Sequence, residues 1–268
     1  MIRQPIQKRW FVFLGVVSVL LFLTAYTGLS VFQHYKNPND TTIPDWRQMY
    51  HGVAKAITPD RGGDIWVVVD ALATAKRLFL GLGCGVIGAV ILGMLMGCFK
   101  WLEAFFLPPL SLLAKLPPTA MLAVFFVLVG TDTEMYVTMI AFGVLPTLAQ
   151  AVCLAIQDVP DELLDKTYTL GASPAEVIWN VVFRYVLPKL IDAIRLQIGP
   201  AVVFLMAAEM VVGHVGFGYR IRLESKLLDM NVVYPYLALL AGFGYLMDYL
   251  LRFSQRILCP WYIGERRS

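Results

Sequence analysis

Long uncharged apolar runs separated by short polar pieces set the pattern of this chain. The first runs from Trp10 to Phe32, between Arg9 and Lys36, and is long enough to cross a bilayer as a helix. Its apolar part exceeds a signal-peptide core and no A-x-A site follows, so it reads as a retained helix. From Gln33 to Ala73 the chain turns polar and is broken by Pro38, Pro44, Pro59, Gly62 and Gly63. Within that stretch, Asp45 to Ile57 reads as a short amphipathic helix on the membrane surface. Leu78 to Phe99, bounded by Arg77 and Lys100, predicts a second span. A third has its core over Pro118 to Thr131, led in by a helix broken at Pro108-Pro109, Lys115 and Pro117-Pro118. Met135 to Gln157 predicts the fourth. A polar segment, Asp158 to Arg195, precedes a fifth span over Leu196 to Gly218, which carries one acid, Glu209. Tyr219 to Asn231 is polar, Val232 to Leu251 predicts the sixth span, and the tail Arg252 to Ser268 holds four arginines.

The pattern is that of an all-α polytopic membrane protein with about six transmembrane helices. Its organisation reads as an N-terminus (1–9), a first helix (10–32), an outer segment (33–73), a helical bundle (74–258) with a polar loop (158–195), and a tail (259–268). Lys and Arg favour the side that carries both termini and the 158–195 loop, which places these in the cytoplasm. Composition agrees: 58% of the residues are hydrophobic and 15% charged, against about 25% charged in soluble domains. Mean hydropathy is +0.67. A soluble domain and a disordered chain are both excluded.

Candidate chemistry is sparse. No basic block exceeds two adjacent residues and net charge is only +3, which argues against nucleic acid. Cys84, Cys98, Cys153 and Cys259 form no CxxC pair, and three lie in apolar runs where a thiol packs as a small apolar group. His and Cys do not cluster at metal-ligand spacing, and there is no G-x-S-x-G elbow and no local triad, so neither a metal site nor catalysis is expected. Gly83-Cys-Gly-Val-Ile-Gly88 fits GxGxxG, but it sits inside an apolar helix rather than after a strand. The better pattern there is Gly81, Gly85, Ala89, Gly93 and Gly97, small residues at every fourth position that let two helices approach closely.

The polar segment after Gln157 carries more. Asp158 reads as an N-cap, with a helix over Asp161 to Leu170 that Gly171 stops in the left-handed conformation. Ser173-Pro174-Ala175-Glu176 starts a second helix, with Ser as cap, Pro at the first position and Glu closing a capping box, and this helix ends before Pro188. Leu163, Leu164, Leu170, Ala172 and Val177 give the unit an apolar face suited to a partner's groove; a plain surface loop is the other reading.

This stretch resembles the cytoplasmic loop of ATP-binding-cassette (ABC) importer permeases, whose motif begins Glu-Ala-Ala and places a Gly after three further residues. Asp165-Lys166-Thr167 stand at Glu-Ala-Ala, and Thr169-Leu170-Gly171-Ala172-Ser173 match the common TLGAS form. Val181 stands at an Ile position, Phe183-Arg184 replace a Leu-Pro, and Leu187-Pro188 match a second Leu-Pro. The resemblance runs from Leu72 to Arg256, through Arg77-Leu-Phe-Leu-Gly, Gly93-Met-Leu-Met-Gly97, Pro117-Pro118, Phe142-Gly-Val-Leu-Pro146, Ala208-Glu209-Met210, Gly216-Phe-Gly-Tyr219 and Asp248-Tyr-Leu-Leu-Arg252. Within the family it is similar to the nitrate/sulfonate/bicarbonate (taurine-type) branch.

That resemblance implies a MetI-like bundle in a bacterial inner membrane. It also implies a second permease copy, identical or homologous, two ATPase subunits beneath, and an extracytoplasmic solute-binding protein. ATP and Mg would bind the ATPase chains, leaving no cofactor and no catalysis here. Asp165, Lys166, Thr167, Leu170, Gly171, Ala172, Ser173 and Pro174 would form the coupling loop. Glu209 reads either as a pathway or gating residue or as an acid hydrogen-bonded between helices. Met210, Phe142 and His214 are the other pathway candidates; His34 and His51 read as solvated. The branch points to a small anion such as nitrate, bicarbonate or a sulfonate, with a small nitrogen-rich organic solute as the alternative. A self-contained secondary transporter or channel is the competing class, and several intramembrane charges or inverted repeats would mark it.

Overall fold

The computed structural model describes residues 7–37, 40–59 and 63–262. Pro38, Gly62 and the tail arginines Arg266 and Arg267 lie outside the described residues. Regular structure among the described residues is helical throughout: α1 (Lys8–Lys36), α2 (Trp46–Ile57), α3 (Trp66–Cys98), α4 (Lys100–Leu113), α5 (Leu122–Val129), α6 (Thr133–Gln157) and α7 (Asp161–Thr169). A single turn, α8 (Pro174–Glu176), leads through a π-helical stretch (Val177–Val182) into α9 (Phe183–Val212), followed by α10 (Phe217–Lys226) and α11 (Met230–Leu258). Among the described residues, five helices are long and apolar enough to cross a bilayer: Val12–Lys36, Trp66–Cys98, Thr133–Gln157, Pro174–Val212 and Met230–Leu258.

The third expected span is split. The paired prolines Pro108 and Pro109 lie inside α4. The chain then turns through Pro117 and Pro118, whose carbonyls accept from Ala120 and Met121 N–H at 3.0 and 3.1 Å. Only eight residues, Leu122–Val129, follow as helix, about 12 Å of rise, too short to span alone. Two other boundaries move. Helix α3 begins at Trp66, not Leu78, so Asp70, Thr74 and Arg77 lie inside it. Helix α9 runs through Pro188 and Pro200, where a stop before Pro188 was expected. A proline inside a helix removes one N–H bond and crowds the preceding turn, yet that turn stays α-helical, and the wider π-helix ends earlier, at Val182. Pro188 is further held from α11, since Gln255 Nε2 donates to its carbonyl at 2.9 Å.

The chain divides into two compact units. One contains the described residues up to Trp66 together with Leu223–Leu237. There the stretch after α1 folds back along it. Tyr26 Oη donates to the Pro44 carbonyl at 2.7 Å, Ser30 Oγ to the Ile43 and Pro44 carbonyls at 3.3 Å, and Trp46 Nε1 to Thr27 Oγ1 at 3.2 Å. His34, expected to be solvated, is half-buried, with Nδ1 2.9 Å from the Ser30 carbonyl. Asp45 caps α2 through a reciprocal box with Gln48.

The other unit contains Val67–Arg222 and the described residues from Ala238 onward. Its core centres on α6, from Met135 to Ile156. The small-residue stripe of α3 meets α6 as the spacing predicts. A side chain at Gly81 would fall 2.7 Å from Ile140, one at Gly93 2.6 Å from Val152, and one at Gly97 2.7 Å from Ile156, while Ala89 is fully buried. Lipid is as apolar as these side chains, so close van der Waals contact rather than water exclusion holds the two helices. Arg195 of α9 pairs with Asp192 and with Asp248 of α11, both at 2.7 Å.

Candidate functional site

The loop after α6 forms a hairpin. Pro160, not Asp158, occupies the N-cap of α7, and Asp158 instead pairs with Lys189 at 2.9 Å, bracing the entry of the hairpin against α9. Asp161 and Glu162 lie in the first turn of α7 and Lys166 in its last, each on the favourable side of the helix dipole. Gly171 has φ +84°, and the turn is closed by Gly171 N–H to the Tyr168 carbonyl (2.9 Å) and Ala172 N–H to the Thr167 carbonyl (3.2 Å). Pro174 is the first helical residue beyond, and Ser173 and Glu176 cap each other reciprocally.

This folding divides the expected apolar face. Val177 is buried, and Leu164 and Ala172 are half-buried against the bundle core. Leu170 at the tip is 85% exposed, joined by exposed Tyr168 and Trp179, which the aliphatic pattern did not single out. Asp165, Lys166, Ser173 and Pro174 are exposed, while the Thr167 hydroxyl is spent on the Leu163 and Leu164 carbonyls. A Cβ at Gly171 would meet nothing within 4 Å, so open space surrounds the tip. Behind the hairpin lies a cavity of roughly 360 Å³, lined by Gly97, Cys98, Lys100, Gln157, Tyr168 and Val182 among others.

A second constellation surrounds Glu209. It is fully buried near the end of α9. Arg77 donates to it at 2.8 Å, Thr74 Oγ1 lies 3.1 Å from both carboxylate oxygens, and Gly218 N–H donates at 2.9 Å. Buried Asp70, one turn earlier on α3, accepts from Gly216 N–H and Arg220 Nε, each at 2.9 Å. Phe217 N–H donates to Thr74 Oγ1 at 2.9 Å. The start of α10 is thus tied to α3 by the Gly216 and Phe217 N–H groups and the Arg220–Asp70 pair, and to α9 by Gly218 N–H, while the Arg77–Glu209 pair joins α3 to α9. Arg77 also donates to the Val215 carbonyl at 2.7 Å and stacks over the Tyr136 ring at 4.2 Å. Gly216 has φ +124°, and a Cβ there would fall 2.5 Å from the Glu209 carboxylate.

Of the pathway candidates, Glu209 faces this cluster, Met210 and His214 are exposed, and Phe142 packs edge-on against Phe125 with ring centroids 5.4 Å apart. Hydropathy makes Arg77 the boundary of an apolar run and does not single out Asp70, Thr74 or the Arg220 pairing. Their signal was present: positions 70, 74 and 77 share one face at helical spacing. Among the described residues, no group of three or more His, Cys, Asp or Glu is placed to hold a metal ion.

A bundle of apolar helices, closely packed on a small-residue seam and carrying a capped, outward-pointing hairpin, is the architecture of a membrane transport subunit. Residues 85–263 match the binding-protein-dependent transport system inner membrane component family, and the chain belongs to it. It is 24% identical to the taurine transport system permease protein TauC of Escherichia coli K12, over 98% of this chain and 94% of that one. It is 28% identical to the putative aliphatic sulfonates transport permease protein SsuC of Bacillus subtilis (72% and 68% covered). It is 23% identical to the nitrate import permease protein NrtB of Synechocystis (75% and 74% covered). The fold is also that of a chain in inward-facing structures of the MetNI methionine ABC transporter, with TM-score 0.61 and 18% identity over 70% of this chain and 94% of that one. The chain is therefore an ABC importer permease of the taurine, nitrate and sulfonate type.

Proposed function

We propose that this chain pairs with a second permease copy to form the translocation path for a small anion, such as nitrate, bicarbonate or a sulfonate. An extracytoplasmic binding protein delivers the solute, and two ATPase subunits dock on the cytoplasmic side. Both termini and the hairpin lie in the cytoplasm. The observation that carries this reading is the hairpin tip: Leu170 stands 85% exposed beside a left-handed Gly171 with open space around it. A rigid, capped knob of that kind fits a groove in a soluble partner. Asp165, Lys166, Thr167, Ala172, Ser173 and Pro174 complete the docking surface.

ATP-driven closure of the ATPase pair draws the two hairpins together, and rigid-body rocking of the bundles switches access to the path. The π-helical stretch joining hairpin to α9 is the natural place for strain to enter the bundle. The names of the taurine, sulfonate and nitrate relatives support an anion. Chemistry at the path itself resides in packing and gating, and ATP and Mg belong to the partner chains.

Mild-detergent purification from the native membrane, with mass spectrometry of what stays bound, tests the assignment. An ATPase chain with a phosphate-binding loop is expected in near-equal amount. A chain that purifies alone and moves solute in liposomes without ATP overturns the reading in favour of a secondary transporter.

A further inference from the structure

Helix α2 presents three faces, two of which the fold explains. Met49, Gly52 and Ala56 form the side packed on protein. A Cβ at Gly52 would collide with the Asn231 carbonyl, so α2 lies directly on the backbone of the α10–α11 corner. Arg47, His51 and Lys55 form a basic, exposed side, from which Lys55 reaches Asp229 at 2.8 Å and Glu224 at 3.3 Å. The third face is Trp46, Tyr50, Val53 and Ile57, all exposed, Tyr50 by 72%. At about 100° per residue these four fall within one narrow stripe, between the packed side and the basic side.

We propose that this stripe contacts lipid, so that α2 is an interfacial helix lying in the leaflet where α1 ends, holding the α10–α11 corner to the bilayer. Depth carries the argument. The Trp46 indole is bonded to Thr27, five residues before Phe32, where the apolar run of α1 stops. Five residues of helix rise are about 7 Å. Trp46 therefore sits inside the apolar slab, at the roughly 5–10 Å burial of helices that lie in a membrane interface. Residue types agree with depth: Trp and Tyr favour the headgroup boundary, and the adjoining Arg47 and His51 side faces headgroups and water. α2 itself contains no acid that would oppose this orientation. The inference rests on the membrane-spanning class of the chain and not on its solute.

Differential quenching of tryptophan fluorescence tests it in the full chain reconstituted into phosphatidylcholine vesicles. Two variants are built on the parent chain, so that the Trp46–Thr27 bond is kept: Y50W on the stripe and H51W on the basic side. Subtracting the parent signal isolates each new indole. The Y50W signal is expected to be quenched by brominated acyl chains and protected from aqueous iodide, and H51W to show the reverse. Iodide quenching of both positions would overturn the proposal, because the helix would then stand clear of the bilayer. Protection of Y50W from both quenchers would overturn it in favour of a protein partner on the stripe. Neither measurement requires transport, so failure here leaves the permease assignment standing.

Discussion

Glu209 is an acid inside a membrane helix that meets its counterion one helix away. Its pair with Arg77 and its bonds from Thr74 and Gly218 leave the carboxylate enclosed and neutralised. The cost of one ionised group in lipid is thereby shared with a cation and two further donors. Removing one partner should cost more than removing both. Arg77→Met, which strands Glu209, is expected to lower unfolding stability in detergent by about 3–5 kcal/mol. Arg77→Met with Glu209→Gln should lose clearly less than the sum of the single changes. A double-mutant cycle that proves additive would show that the pair is not coupled. The acid itself was visible in the sequence. Its partner was not, because an arginine next to an apolar run looks the same whether it ends a helix or lies within it.

At the scale of elements, the stripe from Gly81 to Gly97 makes a sharper test. Gly93→Leu must push Val152 and the Ala149 carbonyl, 2.6 and 2.7 Å from the new Cβ, and should cost about 1–3 kcal/mol. Gly83→Ala lies on the open side of the same helix and should stabilise it by about 0.5–1 kcal/mol. Thermal unfolding in a fixed detergent separates the two signs. The link from α2 to the α10–α11 corner predicts a pH effect. Hydrogen bonding to Asp229 raises the Lys55 pKa above the ordinary lysine value. A raised pKa stabilises while the lysine is charged in both states, and the benefit is lost as pH climbs through the folded value. Lys55→Met should therefore be less stable than the parent chain at neutral pH, and the gap should close above about pH 10.5. A gap that shows no narrowing as the pH rises past 10.5 would assign it to packing instead. The close seam was legible because spacing alone fixes a helix face. The split of α4 from α5 was legible only in part, since prolines mark a break but not whether helix resumes beyond it.

For the whole molecule, the decisive feature is the hairpin standing clear of the bundle. Gly171→Trp is expected to abolish uptake and ATPase retention while membrane insertion and the thermal transition stay near those of the parent. Open space around Gly171 means that the bundle itself does not oppose the new side chain. The strain is local, from a left-handed position that bulky residues rarely adopt. Normal uptake by this variant would defeat the docking role. The hairpin was readable from sequence since its parts are local: a glycine stop, a proline start and a capping box within a few residues. Which apolar residues face outward was not readable, and Tyr168 and Trp179 emerge only once α7 and the π-helical stretch are set against the bundle.

The amino-acid sequence by itself determined the membrane class, the long apolar helices, the close-packing seam and the hairpin. Each of these follows from hydrophobic length or from contacts between residues near in sequence. The tertiary structure decided where polar groups inside the apolar runs find partners. Asp70, Thr74 and Arg77 belong within a membrane helix because Gly216, Phe217, Glu209 and Arg220 come to meet them. It also decided that α9 continues through Pro188, whose carbonyl a glutamine from α11 holds. In a medium without water, whether a charge ends a helix or lies inside it depends on a counterion more than a hundred residues away, and hydropathy along one chain does not record that distance.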